Sequence, residues 1–272
     1  MPQIISELQD LTYLSWAKAR ESSGTAGSFL KSYDDTGERK IYYKLSDYRV
    51  GDGIVGHECI NEIVVDRLLE ILGIPHLSYQ LIHARVLVDG TSYETWLNAS
   101  DDFKRPGESK IALDTYYELM RREGEGPLDF CLRNGWERSI WQMLVVDYLI
   151  LNRDRHGANI EVLRNARART LRLTPFFDHG LSLLFRCRTV EEVASFDVMA
   201  DLPVQSFVGT SSAARNVKLI PKDAFPQLRE LYPEDRRALF DGLEDATTQT
   251  WRDAVWSMIW GRWCNLENLR SS

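Results

Sequence analysis

The spacing of apolar residues along the chain changes once, at the polar segment DDFKRPGES (101–109). Before it, short runs of aromatic and β-branched residues alternate with turn residues, which is typical of β-strands. The clearest case is SYQLIHARVLVDGTSYETWL (78–97), which predicts two strands joined at Asp89-Gly90, a common hairpin pair. After it, apolar residues recur at helical spacing. This order predicts an α+β fold, β-rich over residues 1–100 and mostly helical over residues 101–272, and it disfavours a doubly wound parallel sheet.

Two segments have the apolar spacing of buried helices. The first, residues 57–73, ends at a Gly-x-Pro stop signal. The second, residues 138–151, is strongly apolar and is predicted to be a buried helix. A strand pair is predicted at 159–163 and 169–177, and the residues beyond it are predicted to be helical.

The charge balance argues against some classes of function. The chain has 33 Lys and Arg against 40 Asp and Glu, a formal charge of -7. This charge balance does not predict a broad basic surface, and direct nucleic-acid binding is not expected. No run approaches the roughly 18 apolar residues of a membrane span, and the first residues do not resemble a secretory signal. These patterns predict a cytoplasmic protein, with secretion or delivery into a host cell by another route as the alternative.

The cysteines form no CxxC pair, which disfavours a zinc site or a redox motif. Buried, reduced thiols are the expectation for a cytoplasmic protein. The positions concerned are Cys59, Cys131, Cys187 and Cys264.

The strongest candidate for chemistry is NRDRHGAN (152–159), directly after the second apolar helix. Asp154 and Asn159 have the Asp-x-x-x-x-Asn spacing of the protein-kinase catalytic loop. There the Asp accepts the proton of the substrate hydroxyl and the Asn binds magnesium. Oxygen ligands of this kind suit Mg²⁺. Taken alone, the spacing also fits an ordinary turn in which Asp and Asn bind their own backbone.

Asp178, in PFFDHG (175–180), is a second acidic candidate. It follows Asp154 by 24 residues, at the end of a predicted strand, where kinases carry a metal-binding Asp-x-Gly. The predicted strand pair would return Asp178 to the loop, so that it and Asn159 converge on magnesium and ATP phosphates. The alternative is a β-turn that simply ends the strand.

Lys44 lies within the strand-forming run IYYKLS. A half-buried lysine there could bind the α- and β-phosphates of ATP, and an outward lysine on an edge strand is the alternative. Glu58 and Glu62 lie four residues apart on one face of the following helix, and either could pair with Lys44. The spacing itself does not choose between them, and a solvated acidic face remains open.

A loop of small residues, SSGTAGS (22–28), precedes Lys44. Its glycines allow close approach of the backbone, and amides in such a loop can bind phosphate. It matches neither GxGxxG nor GxxxxGK[ST], and a flexible turn is the alternative. The candidate nucleotide-binding residues in it are Ser23, Gly24, Thr25, Gly27 and Ser28.

Taken together, NRDRHGANIEVL, PFFDHGLSLL, KLSDY and NEIVVDRLLEILGI resemble the HipA-like serine/threonine kinases of bacteria. The resemblance covers about residues 20–190 and is most specific at 148–184. It implies a two-lobed, protein-kinase-like fold, distantly similar to phosphatidylinositol kinases, with ATP and Mg²⁺ as cofactors and protein serine or threonine as substrate. Several family members are toxins held by antitoxins, so an antitoxin or a regulatory protein is an expected partner.

The resemblance also implies roles for individual residues, and by its Asn61-Glu62 match it favours Glu62 over Glu58 as the partner of the lysine. In chain order, the roles are Lys44 as the ATP lysine, Glu62 as its partner, Trp96 beside the adenine by fold order, Asp154 as the catalytic aspartate, and Asn159 and Asp178 as magnesium ligands. Autophosphorylation would fall on Ser22, Ser23, Thr25 or Ser28. The chain is expected to lack the amino-terminal subdomain of longer members, and residues 190–272 show no strong match.

The sequence thus predicts an ATP- and magnesium-dependent protein serine/threonine kinase. Two alternatives remain: a lipid or small-molecule kinase, and an ATP-binding pseudokinase or interaction module. The required residue types stand at all the key polar positions, which disfavours an inactive site.

Overall fold

The computed structural model describes residues 3–17 and 29–271. Its strands are β1 (Ile4–Asp10), β2 (Lys31–Asp34), β3 (Ile41–Leu45), β4 (Asp47–Arg49), β5 (Gly53–Val55), β6 (Gln80–Val88), β7 (Thr91–Asp101), β8 (Ser109–Ala112), β9 (Asp154–Arg155), β10 (Glu161–Asn165), β11 (Thr170–Leu173) and β12 (Gln205–Ser206). Its α-helices are α1 (Glu58–Leu72), α2 (Leu113–Met120), α3 (Pro127–Arg133), α4 (Glu137–Leu149), α5 (Val190–Ser195), α6 (Ala213–Val217), α7 (Asp235–Phe240) and α8 (Gln249–Ser271). Apart from α1, these helices come after β8, which confirms the predicted order.

A five-stranded sheet with the order β1-β6-β7-β3-β2 forms the amino-terminal part. β1 and β6 run parallel, and the other neighbours run antiparallel. The β6–β7 hairpin turns at Asp89 and Gly90, whose φ angles are 50° and 80°. Two successive positive φ angles are what a two-residue type I′ turn requires. The predicted hairpin is confirmed.

The two faces of this sheet are buried against different parts of the molecule. Leu45 and Leu97 are neighbours in register and belong to a small core on one face. Lys44 and Asn98 are in register on the opposite face. Leu81 is the next neighbour there, and it belongs to the larger core around α1 and the later helices. Because side chains alternate along strands, Lys44 faces α1 and the helical part.

Helix α1 carries four polar side chains into the core: Glu58, Asn61, Glu62 and Asp66 are all buried. Buried polar groups need hydrogen-bond partners, so these residues help to fix the position of α1 in the fold. Asp66, for example, accepts the backbone N–H of Tyr79 at 2.6 Å, which ties α1 to the segment that leads into β6.

Helix α4 is buried from Ile140 to Leu149, and the chain leaves it through Leu151, which has a φ of 49°. β10 and β11 then pair antiparallel, which confirms the predicted strand pair, although β10 begins two residues later than predicted and β11 is shorter than predicted. β8 adds a third strand to this sheet, which the sequence pattern did not predict. The loop predicted to carry the chemistry therefore lies between a buried helix and a small sheet.

The prediction of helices throughout the carboxy-terminal region is only partly right. Between β11 and α8 the α-helices have only five or six residues each, with irregular chain between them. Only α8 is long. Cys264 is exposed, so the prediction of four buried thiols is wrong at that position and right at the other three.

No helix within residues 3–17 and 29–271 combines the length and the apolar character needed to cross a bilayer.

Candidate active site

The centre of the site is Lys44, which bonds carboxylates from two parts of the fold. Its Nζ lies 3.1 Å from Glu62 Oε1 on α1 and 2.6 Å from Asp178 Oδ1, after β11. The side chains of Lys44, Glu62 and Asp178 are 11%, 0% and 19% exposed. The structure therefore joins three of the predicted site residues where the sheet meets the helical part.

The charges of this cluster stabilise one another. Burial lowers the pKa of Lys44, but the carboxylates of Asp178 and Glu62 outweigh it and raise that pKa well above its ordinary value. Burial raises the pKa of Glu62, and the positive charge of Lys44 outweighs it, so that the net pKa of Glu62 is lowered. Lys44 and Glu62 are therefore both ionised near neutral pH.

Glu58 and Glu62 have different partners. Glu62 Oε2 accepts the backbone N–H of His179 at 2.8 Å, while Oε1 faces Lys44. Glu58 Oε2 instead accepts the backbone N–H of Asp47 at 3.3 Å, and burial raises the pKa of its carboxyl group. The structure thus pairs Lys44 with Glu62.

Asp178 is presented by a backbone that α1 holds in place. Asp178 has a φ of 60°, in the left-handed region that few residues other than glycine adopt. The side chain of Asn61 donates to the carbonyl oxygens of Gly180 and Ser182, both at 2.9 Å. A Cβ atom on Gly180 would lie 3.1 Å from the Cβ of Glu58, closer than ordinary contact. Glycine at this position therefore lets the segment approach α1 and Lys44.

Asp154 and Asn159 bond each other across the loop after α4. Asn159 Nδ2 donates to the backbone oxygen of Asp154 at 2.8 Å and to its Oδ2 at 3.3 Å. Asn152 Oδ1 accepts the N–H of Asp154 at 3.1 Å. His156 Nε2 lies 3.5 Å from Asp154 Oδ1. Because the side-chain nitrogen of Asn159 donates to Asp154, its side-chain oxygen is the atom that could bind a metal ion.

Arg155 connects the two predicted metal ligands through the backbone. It is 2% exposed, and its guanidinium bonds the carboxylate of Asp147 on α4, with NH2 3.0 Å from Oδ1. Its NH1 donates to the carbonyl oxygens of Asn159 at 3.3 Å and Phe177 at 3.2 Å. One nitrogen therefore holds the segments of Asn159 and Asp178 side by side. Sequence reasoning missed this role, although an acid at position 147 within an apolar helix was a signal for a buried partner.

The described residues hold no group of three His, Cys, Asp and Glu side chains able to bind a metal ion by themselves. Asn159 and Asp178 offer one amide oxygen and one carboxylate. That donor set matches the way Mg²⁺ is usually held, by one or two protein oxygens with substrate phosphates and water completing the shell. The residues therefore fit magnesium bound together with a nucleotide.

The remaining predicted residues lie elsewhere. Ser22, Ser23, Gly24, Thr25, Gly27 and Ser28 fall outside the described residues. On either side of that segment, Ala17 and Lys31 pair with each other, and Lys31 is in register with Lys44. Trp96 stacks on His83, with a ring-centroid distance of 4.9 Å, and packs against the larger core. Contact of Trp96 with adenine stays a prediction.

No protein-family model matches the sequence, and no curated protein sequence matches it. Among solved structures, a Helicobacter pylori proinflammatory kinase, CtkA, is 14% identical and superposes with a TM-score of 0.63, over 96% of this chain and 95% of that chain. The chain has a protein-kinase-like fold. Two more distant kinase-like structures were also found. Shewanella oneidensis HipA, solved with HipB and operator DNA, is 16% identical with a TM-score of 0.40, over 94% of this chain and 58% of that one. A Golgi casein kinase with Mn/ADP bound is 10% identical with a TM-score of 0.45, over 91% and 71%.

Proposed function

We propose that the chain is a HipA-like protein serine/threonine kinase that uses ATP and Mg²⁺. The observation that carries this proposal is the pairing of Lys44 with Glu62 and Asp178, in a kinase-like fold in which Arg155 holds the Asp178 segment beside the loop of Asp154 and Asn159. These are the residue types, in the chain order, that phosphoryl transfer in kinases requires.

Nucleotide binding is assigned to the Lys44 cluster. Lys44 would bind the α- and β-phosphates, and Glu62 would hold its ammonium in place. Asn159 and Asp178 would hold magnesium, which neutralises the charge of the phosphates when it is bound. Lys44 and Asp178 are already in contact without a ligand. A metal-bound nucleotide would therefore bind between two side chains that the fold has already brought together. Ser23, Gly24, Thr25, Gly27 and Ser28 remain proposed phosphate contacts.

Asp154 is assigned the role of orienting the acceptor hydroxyl group and accepting its proton. The serine or threonine oxygen forms a bond to the γ-phosphorus, the bond from that phosphorus to the β,γ-bridging oxygen breaks, and ADP leaves with the electron pair. The hydroxyl proton passes to the carboxylate of Asp154. Most of the rate enhancement would come from positioning and charge neutralisation. Autophosphorylation at residues 22–28 and an antitoxin or regulatory partner belong to the same proposal.

The test is transfer of label from ATP to protein in the presence of Mg²⁺. We expect Asp154→Asn and Asp178→Asn to lower the rate about 10²- to 10⁴-fold, the range for loss of a positioned proton acceptor or charged group. Asp223→Asn, at an exposed position after α6, is the matched control and should keep the rate of the natural sequence.

Circular dichroism and thermal unfolding check that each variant is folded. Labelling of a lipid or a small hydroxyl compound but of no protein would replace the protein-kinase proposal with the small-molecule alternative. ATP binding without transfer to any acceptor would point to a pseudokinase.

A further inference from the structure

Tyr79 is a buried tyrosine between α1 and β6, and the proposed function gives it no role. Its hydroxyl oxygen accepts the backbone N–H of Asp178 at 3.3 Å. Asp178 is also the residue whose carboxylate contacts Lys44 and to which the proposed function assigns magnesium. A side chain 99 positions away along the chain therefore bonds the backbone of a proposed metal ligand.

The backbone around Asp178 belongs to no strand or helix, so its conformation depends on contacts with other segments. The residue has a φ of 60°, and a non-glycine residue keeps this unfavourable angle only where its surroundings fix it. On one side, the N–H of Leu77 donates to the carbonyl oxygen of Phe176 at 2.8 Å. On the other side, the N–H of His179 donates to a glutamate of α1 at 2.8 Å. The hydroxyl of Tyr79 bonds the amide between them, which is that of Asp178 itself.

The backbone of Tyr79 is in turn tied to α1. Its N–H donates to Asp66 Oδ2 at 2.6 Å, and Asp66 Oδ1 accepts the side chain of Gln3 at 3.0 Å. Because Asp66 is buried and bonded on both oxygens, it holds the backbone of Tyr79 in place. The side chain of Tyr79 therefore connects the helix that carries Glu62 to the segment that carries Asp178.

The ring and the hydroxyl of Tyr79 have separate tasks. The ring packs in the larger core together with Leu81 and residues of α1, and a phenylalanine would fill the same space. Only the hydroxyl bonds Asp178. Without it, the N–H of Asp178 loses this hydrogen bond, and one of the contacts that hold the left-handed angle is gone. The carboxylate of Asp178 would then be held less firmly beside Lys44.

We propose that Tyr79 is a positioning residue for the metal site: its hydroxyl holds the backbone of Asp178 so that the carboxylate can bind Mg²⁺ together with Asn159. The inference rests on the proposed kinase function and adds a residue that acts through Asp178 without touching the substrate. Loss of the hydroxyl should weaken the effect of Mg²⁺ on nucleotide binding and leave the role proposed for Asp154 intact.

The test is the affinity of a non-hydrolysable ATP analogue, measured by calorimetry with and without Mg²⁺. The dissociation constant without Mg²⁺ divided by that with Mg²⁺ gives the contribution of the metal. We expect Tyr79→Phe to lower this Mg²⁺ ratio about two- to tenfold, the range for one hydrogen bond, and to leave the affinity without Mg²⁺ unchanged. In label transfer from ATP, the half-saturating Mg²⁺ concentration should rise by the same factor, with the rate at saturating Mg²⁺ close to that of the natural sequence.

Tyr148→Phe is the matched control. Tyr148 is buried, and its hydroxyl accepts the side-chain N–H of Asn265 on α8 at 3.0 Å, so this variant also loses one hydrogen bond to a tyrosine oxygen. We expect it to keep the Mg²⁺ ratio of the natural sequence. Asp178→Asn tests the route of the effect: adding Tyr79→Phe to it should change the ratio no further, because a residue that acts only through Asp178 has no separate effect.

Thermal unfolding checks that every variant is folded. An unchanged Mg²⁺ ratio in Tyr79→Phe, or the same fall in Tyr148→Phe, would overturn the role of Tyr79 and leave the kinase proposal standing. Equal losses of affinity with and without Mg²⁺ would do the same, because they are what a purely structural residue produces. Absence of analogue binding and of label transfer in the natural sequence would overturn both proposals. A fall seen in Tyr79→Phe, absent from Tyr148→Phe and absent from the Asp178→Asn background supports both.

Discussion

Two buried cations lie close together in this protein, and they differ in what surrounds them. Arg155 is 2% exposed and distributes its donors over Asp147 and two backbone carbonyls. The side chain of Lys44 is 11% exposed; its ammonium bonds carboxylates from α1 and from the segment after β11, and it lies 4.9 Å from the ring centroid of Phe29. A planar guanidinium bonded on several sides holds one geometry, whereas an ammonium on a flexible stem can exchange partners. Arg155 therefore holds segments of the site together, and Lys44 is the cation that the proposed function assigns to the phosphates.

The largest effect is expected from breaking the Arg155 pair. Arg155→Met leaves Asp147 buried beside Asn152 without its cation, and removal of one partner from a buried ion pair costs about 3–5 kcal/mol. The free energy of unfolding, from urea titration, measures the loss. The double variant Asp147→Leu/Arg155→Met should recover part of it, because no charge is left unpaired. The recovery should be incomplete, because the carbonyls of Asn159 and Phe177 still lose their donor. A cost below 1 kcal/mol for Arg155→Met would contradict a structural role.

A smaller effect on stability, with a complete loss of activity, is expected from Lys44→Met. Glu62 keeps the N–H of His179 as a donor and can take up a proton, so the free energy of unfolding should fall by about 1–3 kcal/mol. Phosphoryl transfer should vanish, because the α- and β-phosphates lose their cation. Urea titration and label transfer from ATP, made on the same preparation, separate the two effects. An active, folded Lys44→Met protein would show that Lys44 has no part in transfer.

The smallest effects concern pH. The pKa of Lys44 is raised above 10.5, so its contribution to stability is complete below pH 10.5 and is lost as pH rises through the folded value. The pKa of Glu62 is lowered below 4.5, so its contribution is complete above pH 4.5 and is lost as pH falls through the folded value. The stability difference between the natural sequence and Glu62→Gln should therefore be flat in the middle range and shrink at both ends.

The Arg155 pair supplies the control for these pH profiles. Burial lowers the pKa of Arg155, but Asp147 raises it more, so Arg155 stays charged at every pH at which the fold survives. The stability difference between the natural sequence and Arg155→Met should accordingly show no loss at alkaline pH. A parallel alkaline loss in both profiles would mean that the two cations do not differ as described.

The same contrast explains how much could be predicted from the sequence. The sequence singles out Lys44, Asp154, Asn159 and Asp178 because kinase spacing is local and ordered along the chain; the structure pairs Lys44 with Asp178 and Asn159 with Asp154, and their roles stay predictions. The choice of Glu62 over Glu58 came only from the family resemblance, because both glutamates lie on one helical face and both are buried. The pattern could not show which of them reaches the sheet.

The Arg155–Asp147 pair was missed because burial of a charge depends on tertiary contacts that no spacing encodes. Asp147 and Arg155 lie only eight positions apart, but Asp147 lies in a buried helix and Arg155 in a segment whose sequence is polar. The region between β11 and α8 was predicted helical and is mostly irregular. Its short helices depend on individual caps, such as the Thr189–Glu192 capping box of α5, rather than on long apolar periodicity. The secondary structure of such segments therefore depends on their position in the fold rather than on a periodic pattern in the sequence.

The most direct test of the account is a crystal structure with Mg²⁺ and a non-hydrolysable ATP analogue. We expect Lys44 Nζ to leave Asp178 for phosphate oxygens while keeping Glu62, Asp178 and Asn159 to bind the metal, and the Arg155–Asp147 pair to stay unchanged. A nucleotide bound elsewhere, with the Lys44–Asp178 contact intact, would contradict the account.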